Sequence, residues 1–358
     1  MPGSVRSSFI VVSYSPDRPW LTELPSTPWM QRMEGTRMAG AKHAGRIVAI
    51  TTAAAVILAA CSSGSKGGAG SGHAGKARSA VTTTDTDWKP VADALGRSGK
   101  LGDNNTAYRI NLPRNDLHIT SYGVDIKPGL SLGGYAAFAR YDNNETLLMG
   151  DLVITEEELP KVTDALQAHG IAQTALHKHL LQQDPPVWWT HIHGMGDAAR
   201  LAQGLKAALD ATTIGPPTPP PARQPPVDID VAGVDQALGR KGTQDGGLLK
   251  YSIPRKDTII EDGHVLPAVS LNLTTVINFQ PVGRGRAAIN GDFILIAPEV
   301  QEVIRAMRAG NITIVELHNH GLTEEPRLFY MHYWAVDDAV TLARALRPAM
   351  DATNLQSS

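Results

Sequence analysis

Histidine pairs at a repeated spacing are the residues of this chain best suited to chemistry. The segment "TALHKHLL" places His177 and His179 two residues apart, and "VELHNHGL" repeats that spacing with His318 and His320. Imidazole nitrogens are ligands for Zn, Cu, Ni and Fe. A free imidazole also titrates near neutral pH and can act as a general base. What these histidines do therefore depends on the elements that position them.

Both histidine pairs lie in segments with the composition of β-strands. Alternate side chains of a strand share one face, so the two histidines of each pair are expected to point the same way. The next predicted strand carries His191 in one segment and His332 in the other. If the two strands form a hairpin, three imidazoles converge in each segment at cross-strand distance.

Three histidines on strands would hold a divalent transition metal (Zn, Cu, Ni or Fe) and leave one coordination position open. Glu316 could add a carboxylate beside His318, and His193 a further nitrogen beside His191. The predicted ligands are His177, His179, His191, His318, His320, His332 and Glu316. Two other interpretations stay open: a buried polar network with a structural role, and a metal-free acid/base site. Whether the protein is an enzyme is left open.

The two histidine segments belong to an internal duplication. Residues 150–212 align with residues 291–353 without a gap, and 22 of the 63 positions are identical. "LPRND" at 112–116 likewise corresponds to "IPRKD" at 253–257. Because the repeated unit has the length of a domain, we expect two tandem homologous domains.

Each repeat combines short helices with segments rich in Val, Ile, Tyr and Phe between Gly, Pro and Asn. Thr155 and Glu158 have the spacing of a capping box that opens a helix, and Pro298 can begin the equivalent helix. The pattern predicts an α+β fold. Each domain has a mainly antiparallel sheet with helices and ends in a β-α-β-β-α unit.

The segment before the repeats has the composition of a lipoprotein signal. Lys42 and Arg46 precede an apolar run that ends in Leu58-Ala59-Ala60-Cys61, and Cys61 is the only cysteine. This order of charged, apolar and small residues is typical of a cleaved secretory signal, and the last four residues resemble a lipobox. The cysteine of a lipobox receives a diacylglyceryl thioether, and such acyl chains anchor a protein stably to a bilayer.

Composition changes set the predicted boundaries. Residues 1–37 are an extension or mis-called start, 38–60 the signal peptide and 61–84 a flexible Gly/Ser-rich tether. Repeat domain 1 covers 85–213, a Pro-rich linker 214–227, and repeat domain 2 covers 228–354. A linker so rich in proline is a stiff spacer that could keep the two repeats apart, and the sequence leaves open whether they pack on each other.

Charge and motifs exclude several functions. With 33 Lys+Arg against 35 Asp+Glu, the chain lacks the basic excess that nucleic-acid binding requires. No P-loop or dinucleotide fingerprint is present, so we expect no nucleotide cofactor. The predicted partners are the membrane, through Cys61, and a small-molecule or cell-envelope ligand.

The lipobox, the "LHxH" segments with "PRLFYMHYWA" and the "GDxxxxxxE" pattern resemble the LppY/LpqO family of actinobacterial lipoproteins. The resemblance covers about residues 88–212 and 228–353 and implies a tandem domain of unknown function on the outer face of the bacterial cytoplasmic membrane. It implies no activity. Two functions therefore compete: metal binding by the strand histidines, and a non-enzymatic envelope module that binds a small molecule, glycan or protein between the repeats.

Overall fold

The computed structural model describes residues 77–216 and 222–357. The predicted extension, the signal peptide, Cys61 and most of the tether lie outside these residues. Both repeats belong to one compact unit. No helix within the described ranges is long and apolar enough to span a bilayer.

Repeat 1 follows a short strand and consists of two layers, one of strands and one of helices. Its helices are α1 (Lys89–Leu95), α2 (Pro128–Ser131), α3 (Leu159–Ala168) and α4 (Ala198–Asp210). The strands, with the preceding one first, are β1 (Arg78–Ser79), β2 (Lys100–Gly102), β3 (Ala107–Pro113), β4 (Ile119–Ser121), β5 (Val124–Ile126), β6 (Gly133–Arg140), β7 (Thr146–Thr155), β8 (Ala172–His177), β9 (Gln183–Asp184) and β10 (Val187–Gly196).

Repeat 2 has the same order of main elements. Its helices are α5 (Val231–Leu238), α6 (Ala297–Ala309) and α7 (Ala339–Asp351). Its strands are β11 (Thr243–Asp245), β12 (Leu248–Pro254), β13 (Ile260–Glu261), β14 (His264–Val265), β15 (Thr274–Gly283), β16 (Arg286–Leu295), β17 (Thr313–His318) and β18 (Phe329–Asp338).

Each repeat forms a six-stranded antiparallel sheet with the same strand order. The order is β2-β3-β6-β7-β10-β8 in repeat 1 and β11-β12-β15-β16-β18-β17 in repeat 2. Both repeats end in the predicted β-α-β-β-α unit, with the small strand β9 added in repeat 1. The predicted α+β fold with two tandem domains is confirmed.

The hydrogen bonds of the predicted capping box are present, but they lie in the turn before α3, which begins at Leu159, and Glu158 also belongs to a buried ion pair. Glu158 accepts a hydrogen bond from Thr155 N at 2.9 Å, and Thr155 Oγ1 accepts one from Glu158 N at 3.2 Å. Arg114, whose side chain is fully buried, pairs with Glu158 at 2.7 Å. Repeat 2 has the same contact between Arg255 and Glu299, at 2.6 Å. The repeated "PR" motif thus joins the end of β3 or β12 to the start of a helix.

The two sheets pack against each other, and the helices cover their outer faces. Alternation along β10 shows this arrangement, since Ile192 packs in the helix-facing core of repeat 1 while Trp189 packs in a cluster with Trp334 of repeat 2. A second mixed cluster joins Tyr135 of repeat 1 to Tyr330 of repeat 2. The sequence left open whether the repeats pack on each other, and in the structure they do. Apolar residues on the inner face of each sheet are buried by the other sheet, and this burial favours close packing.

Part of the predicted tether belongs to the folded unit. β1 pairs in parallel with β14 of repeat 2. Val81 N donates to Arg140 O, and Thr83 is buried. The segment before repeat 1 therefore contacts both repeats.

Candidate metal centre

Polar residues interrupt the apolar inner faces of the two sheets near the middle of their interface. On β7 and β16, Asp151 and Asp292 take inward positions, and they pair in register with His191 of β10 and His332 of β18. All four side chains are buried. A buried polar group needs a compensating partner, so such a concentration within an apolar interface indicates a specific role.

Six imidazoles from both repeats meet at this point. The ring centroids are 4.0 Å apart for His177 and His318, 3.7 Å for His179 and His332, and 3.5 Å for His191 and His320. Each residue of repeat 1 corresponds to the residue 141 positions later in repeat 2. By this correspondence the pair His177–His318 maps onto itself, and the pairs His179–His332 and His191–His320 exchange. The centre therefore has approximate twofold symmetry, and each histidine of one repeat lies against a histidine of the other.

The second histidine of each His-x-His pair lies beyond its strand. β8 ends at His177 and β17 ends at His318, so His179 and His320 occupy the following loops. The rings still approach, with centroids 5.1 Å apart in repeat 1 and 5.4 Å in repeat 2. The histidines of each pair therefore lie close together, as predicted. The reason differs, because His179 and His320 lie outside the strands whose alternation was used for the prediction.

Contacts between the repeats hold the loop of repeat 1 in place. Asn290 Nδ2 donates to His179 O at 2.7 Å. Glu316 Oε2 accepts a hydrogen bond from Lys178 N. Glu316, predicted as a carboxylate ligand, therefore lies beside the histidines and fixes the backbone between His177 and His179.

The strand histidines are oriented by glycine carbonyls. His191 Nδ1 lies 3.4 Å from Gly150 O, and His332 Nδ1 lies 3.2 Å from Gly291 O. With Nδ1 donating, the lone pair of Nε2 is free on the other side of each ring. Glycine is required here because a Cβ at either position would overlap a backbone carbonyl oxygen of the neighbouring strand. The two "GD" motifs thus set both the strand spacing and the ring orientation.

Asp292 reinforces this orientation at His332. Its Oδ1 lies 2.5 Å from His332 Nδ1. Burial alone would raise the pKa of Asp292, but His332, His179 and His191 outweigh burial and lower that pKa to about 2. A carboxylate on the far nitrogen of a metal-binding imidazole fixes its tautomer and increases its basicity. From the sequence, Asp292 follows glycine on a strand and could either orient an imidazole or be a turn residue. Its contact with His332 depends on the β16–β18 register.

Asp151, the counterpart of Asp292, has different neighbours. Its Oδ2 lies 3.8 Å from His177 Nε2 and 3.7 Å from His179 Nε2. Burial, followed by the charge of Asp292, raises the pKa of Asp151 well above its usual value. The two repeats are therefore not electrostatically equivalent.

Burial favours the neutral form of the rings of His177, His179, His191, His318 and His320. It lowers the pKa of His191 to about 3, and the nearby His332 adds to the effect. Burial and neighbouring imidazoles also lower the pKa values of His177, His179, His318 and His320. Neutral imidazoles keep the lone pair that a cation needs.

Two groups of three histidines have nitrogens close enough for one ion, within 4.8 Å of each other. Group A is His177, His179 and His332, and group B is His177, His191 and His318. His320 is in neither group. His193, considered from sequence as a further nitrogen, lies away from both and pairs with Glu261 at 3.2 Å.

The fold and the site together define an internally duplicated α+β protein with a histidine centre shared by its two copies. A family model described as "Domain of Unknown Function (DUF1259)" matches residues 89–211 and residues 232–352. The chain belongs to this family and contains two copies of its domain. The predicted tandem domain of unknown function is thereby confirmed.

Comparison with curated proteins gives no match. Among solved structures, the chain is similar to the double-ringed trimeric shell protein MSM0271 from the RMM microcompartment, with 14% identity over 57% of this chain and 82% of that chain and a TM-score of 0.17. It is also similar to the trimeric bacterial microcompartment shell protein PduB, with 11% identity over 71% and 89% of the two chains and a TM-score of 0.17. At these TM-scores neither similarity supports an argument about this chain.

Proposed function

We propose that this protein binds two transition-metal ions between its repeats, one in group A and one in group B. The observation that carries the proposal is the 3.4 Å separation of His191 Nε2 and His318 Nε2, which come from different repeats. Two nitrogens that are each 2.0–2.1 Å from one tetrahedral ion lie about 3.3 Å apart. The spacing therefore fits two ligands of a single ion.

Unsatisfied nitrogens favour metal binding over a structural network. In a structural network the buried ring nitrogens would have hydrogen-bond partners. Here His179 Nε2, His332 Nε2 and both nitrogens of His177 and His320 have no hydrogen-bond partner among the described residues. A metal ion in each of groups A and B would give the ligand nitrogens of that group a partner.

His177 is the ring that the two groups share. It is fully buried, and neither of its nitrogens has a hydrogen-bond partner within the described ranges. One imidazole ring can hold two ions only as an imidazolate, so binding of the second ion would release the N–H proton of His177 to solvent. We therefore assign His177 a position between the ions, with His179 and His332 on one side and His191 and His318 on the other.

The ligand set favours Zn, Cu, Ni or Fe, because imidazole suits these metals and oxygen-rich sites suit Mg and Ca. Each group supplies three nitrogens, which leaves a coordination position for water or a ligand. The burial of the centre between two sheets is typical of a resident ion.

Elemental mass spectrometry of protein purified from its native host tests the proposal. We expect two metal ions per chain in the wild type and one in His318→Ala, which removes a ligand of group B only. His193→Ala is the matched control, because it removes a histidine from the same strand as His191 but outside the centre, and it should retain two ions. A wild-type protein without stoichiometric metal would refute the proposal.

We further propose that the protein is a lipoprotein on the outer face of the bacterial cytoplasmic membrane, as the resemblance to the LppY/LpqO family implies. The support is the "LAAC" sequence ending at Cys61 after a charged and then apolar segment. Cys61→Ser should shift the protein from the membrane to the soluble fraction. A variant that stays in the membrane fraction and carries the same lipid mass would contradict this placement.

A further inference from the structure

A cavity of about 110 Å³ adjoins the histidine centre between the sheets. Its lining includes His179 of group A and the carboxylates of Asp151 and Asp292. Arg109, Asn278 and Asn290 add polar side chains. A polar cavity beside a three-ligand metal position is suited to a small ligand that also reaches the ion.

The duplicated repeats differ at positions that line this cavity. Asn278 and Asn290 pair across β15 and β16. The equivalent pair on β6 and β7 is Ala137 and Met149, which belong to an apolar cluster with Tyr330. Tyr330 stacks on His320. The space beside His320 is therefore filled by apolar side chains, whereas the space beside His179 has a polar lining.

Arg109 supplies a cation without a direct ion pair, although Asp151 and Asp103 lie near enough to stabilise its charge. Its guanidinium lies 3.7 Å from the centroid of the Tyr135 ring, and its Nη1 donates to Ser270 O. Within residues 77–216 and 222–357, no carboxylate lies within ion-pair distance of Arg109, whereas Arg114 and Arg255 each pair with two. Burial lowers the pKa of Arg109. A partly buried cation of this kind is stabilised by an anion.

We propose that the cavity binds a small carboxylate-type oxyanion between Arg109 and the group A metal ion. This inference rests on the proposed function, because the charged carboxylate of Asp292 would repel an anion unless a metal ion offset its charge. A water molecule occupies about 30 Å³ in the liquid, so the cavity has room for roughly four non-hydrogen atoms. Formate, acetate and bicarbonate have three or four non-hydrogen atoms and fit this size, whereas phosphate, with five, slightly exceeds it.

The test uses the full-length protein loaded with Co²⁺, whose visible absorption reports changes at the ion. Formate, acetate, bicarbonate and phosphate are titrated separately, with calorimetry as a second measurement. We expect the first three to change the spectrum and phosphate to bind at least tenfold more weakly. Arg109→Gln should weaken formate binding at least tenfold without loss of cobalt. Arg109→Lys keeps the charge but loses bidentate geometry, and should have a smaller effect.

Arg140→Gln is the matched control, because Arg140 also lies over an aromatic ring, that of Trp88, but outside the cavity lining. It should bind formate as the wild type does.

A cobalt-loaded wild type that does not respond to any of the anions overturns the oxyanion proposal and leaves metal binding intact. Equal formate binding with and without cobalt, unchanged binding in both Arg109 variants, or tighter binding of phosphate would also overturn it. Failure to load cobalt would instead refute the proposed function, and the anion site with it.

Discussion

Replacing His177 by alanine is expected to weaken the binding of both metal ions at least 100-fold. His177 belongs to both groups of histidines, so each ion loses one of its three protein ligands. Loss of a residue that merely orients a ligand typically costs 10- to 100-fold in affinity, and loss of the ligand itself should cost more. Competition with a chromophoric chelator measures the two affinities, and elemental analysis after dialysis gives the stoichiometry.

The comparison with His318→Ala and His193→Ala makes this result specific. We expect two ions in His193→Ala, one in His318→Ala and none in His177→Ala after dialysis. Thermal unfolding of the metal-free proteins checks that each variant folds, since His177 is fully buried and its removal leaves a cavity. A folded His177→Ala protein that retains one ion at wild-type affinity would show that the two ions do not share this ring.

Arg114→Ala is expected to lower the free energy of unfolding by about 3–5 kcal/mol. The side chain of Arg114 is fully buried and donates to Val153 O at 2.8 Å as well as to Glu158 and Asp116. Its removal leaves Glu158 as a largely buried carboxylate without a cation, and an uncompensated buried charge is costly. Urea unfolding monitored by tryptophan fluorescence measures the change.

Lys89→Ala provides the control for an exposed ion pair. Lys89 pairs with Asp93 at 2.6 Å, but both side chains are more than half exposed. Such pairs contribute about 0–1 kcal/mol because water and salt screen them. If Arg114→Ala and Lys89→Ala have equal effects, Arg114 does not have the stabilising role that its burial indicates.

Local pattern was sufficient to predict the repeats and most of their elements. The spacing of Thr155 and Glu158 predicted the start of α3, because a capping box involves only neighbouring residues. The apolar strands and helices followed from periodicity in the same way. The ion pair between Arg114 and Glu158 could not be predicted, since it joins residues far apart in sequence and depends on how β3 meets α3.

The centre was predictable as a list of histidines but not as an arrangement. Strand alternation brought His177 and His191 together within one repeat, but nothing local indicated that His318 would lie against His177. That contact depends on the packing of the two sheets, which buries the inner residues of each. The roles of Asn290 and Glu316 depend on the same packing, because both contact the loop of the other repeat.

The approximate twofold symmetry of the interface has an evolutionary consequence. A single-repeat ancestor would have used this face to form a homodimer, with the six histidines contributed equally by two identical chains. In such a dimer every substitution appears on both sides, so methionine and asparagine could not stand at the two equivalent positions. Within one chain they do, as Met149 and Asn290, and each half can therefore change independently of the other.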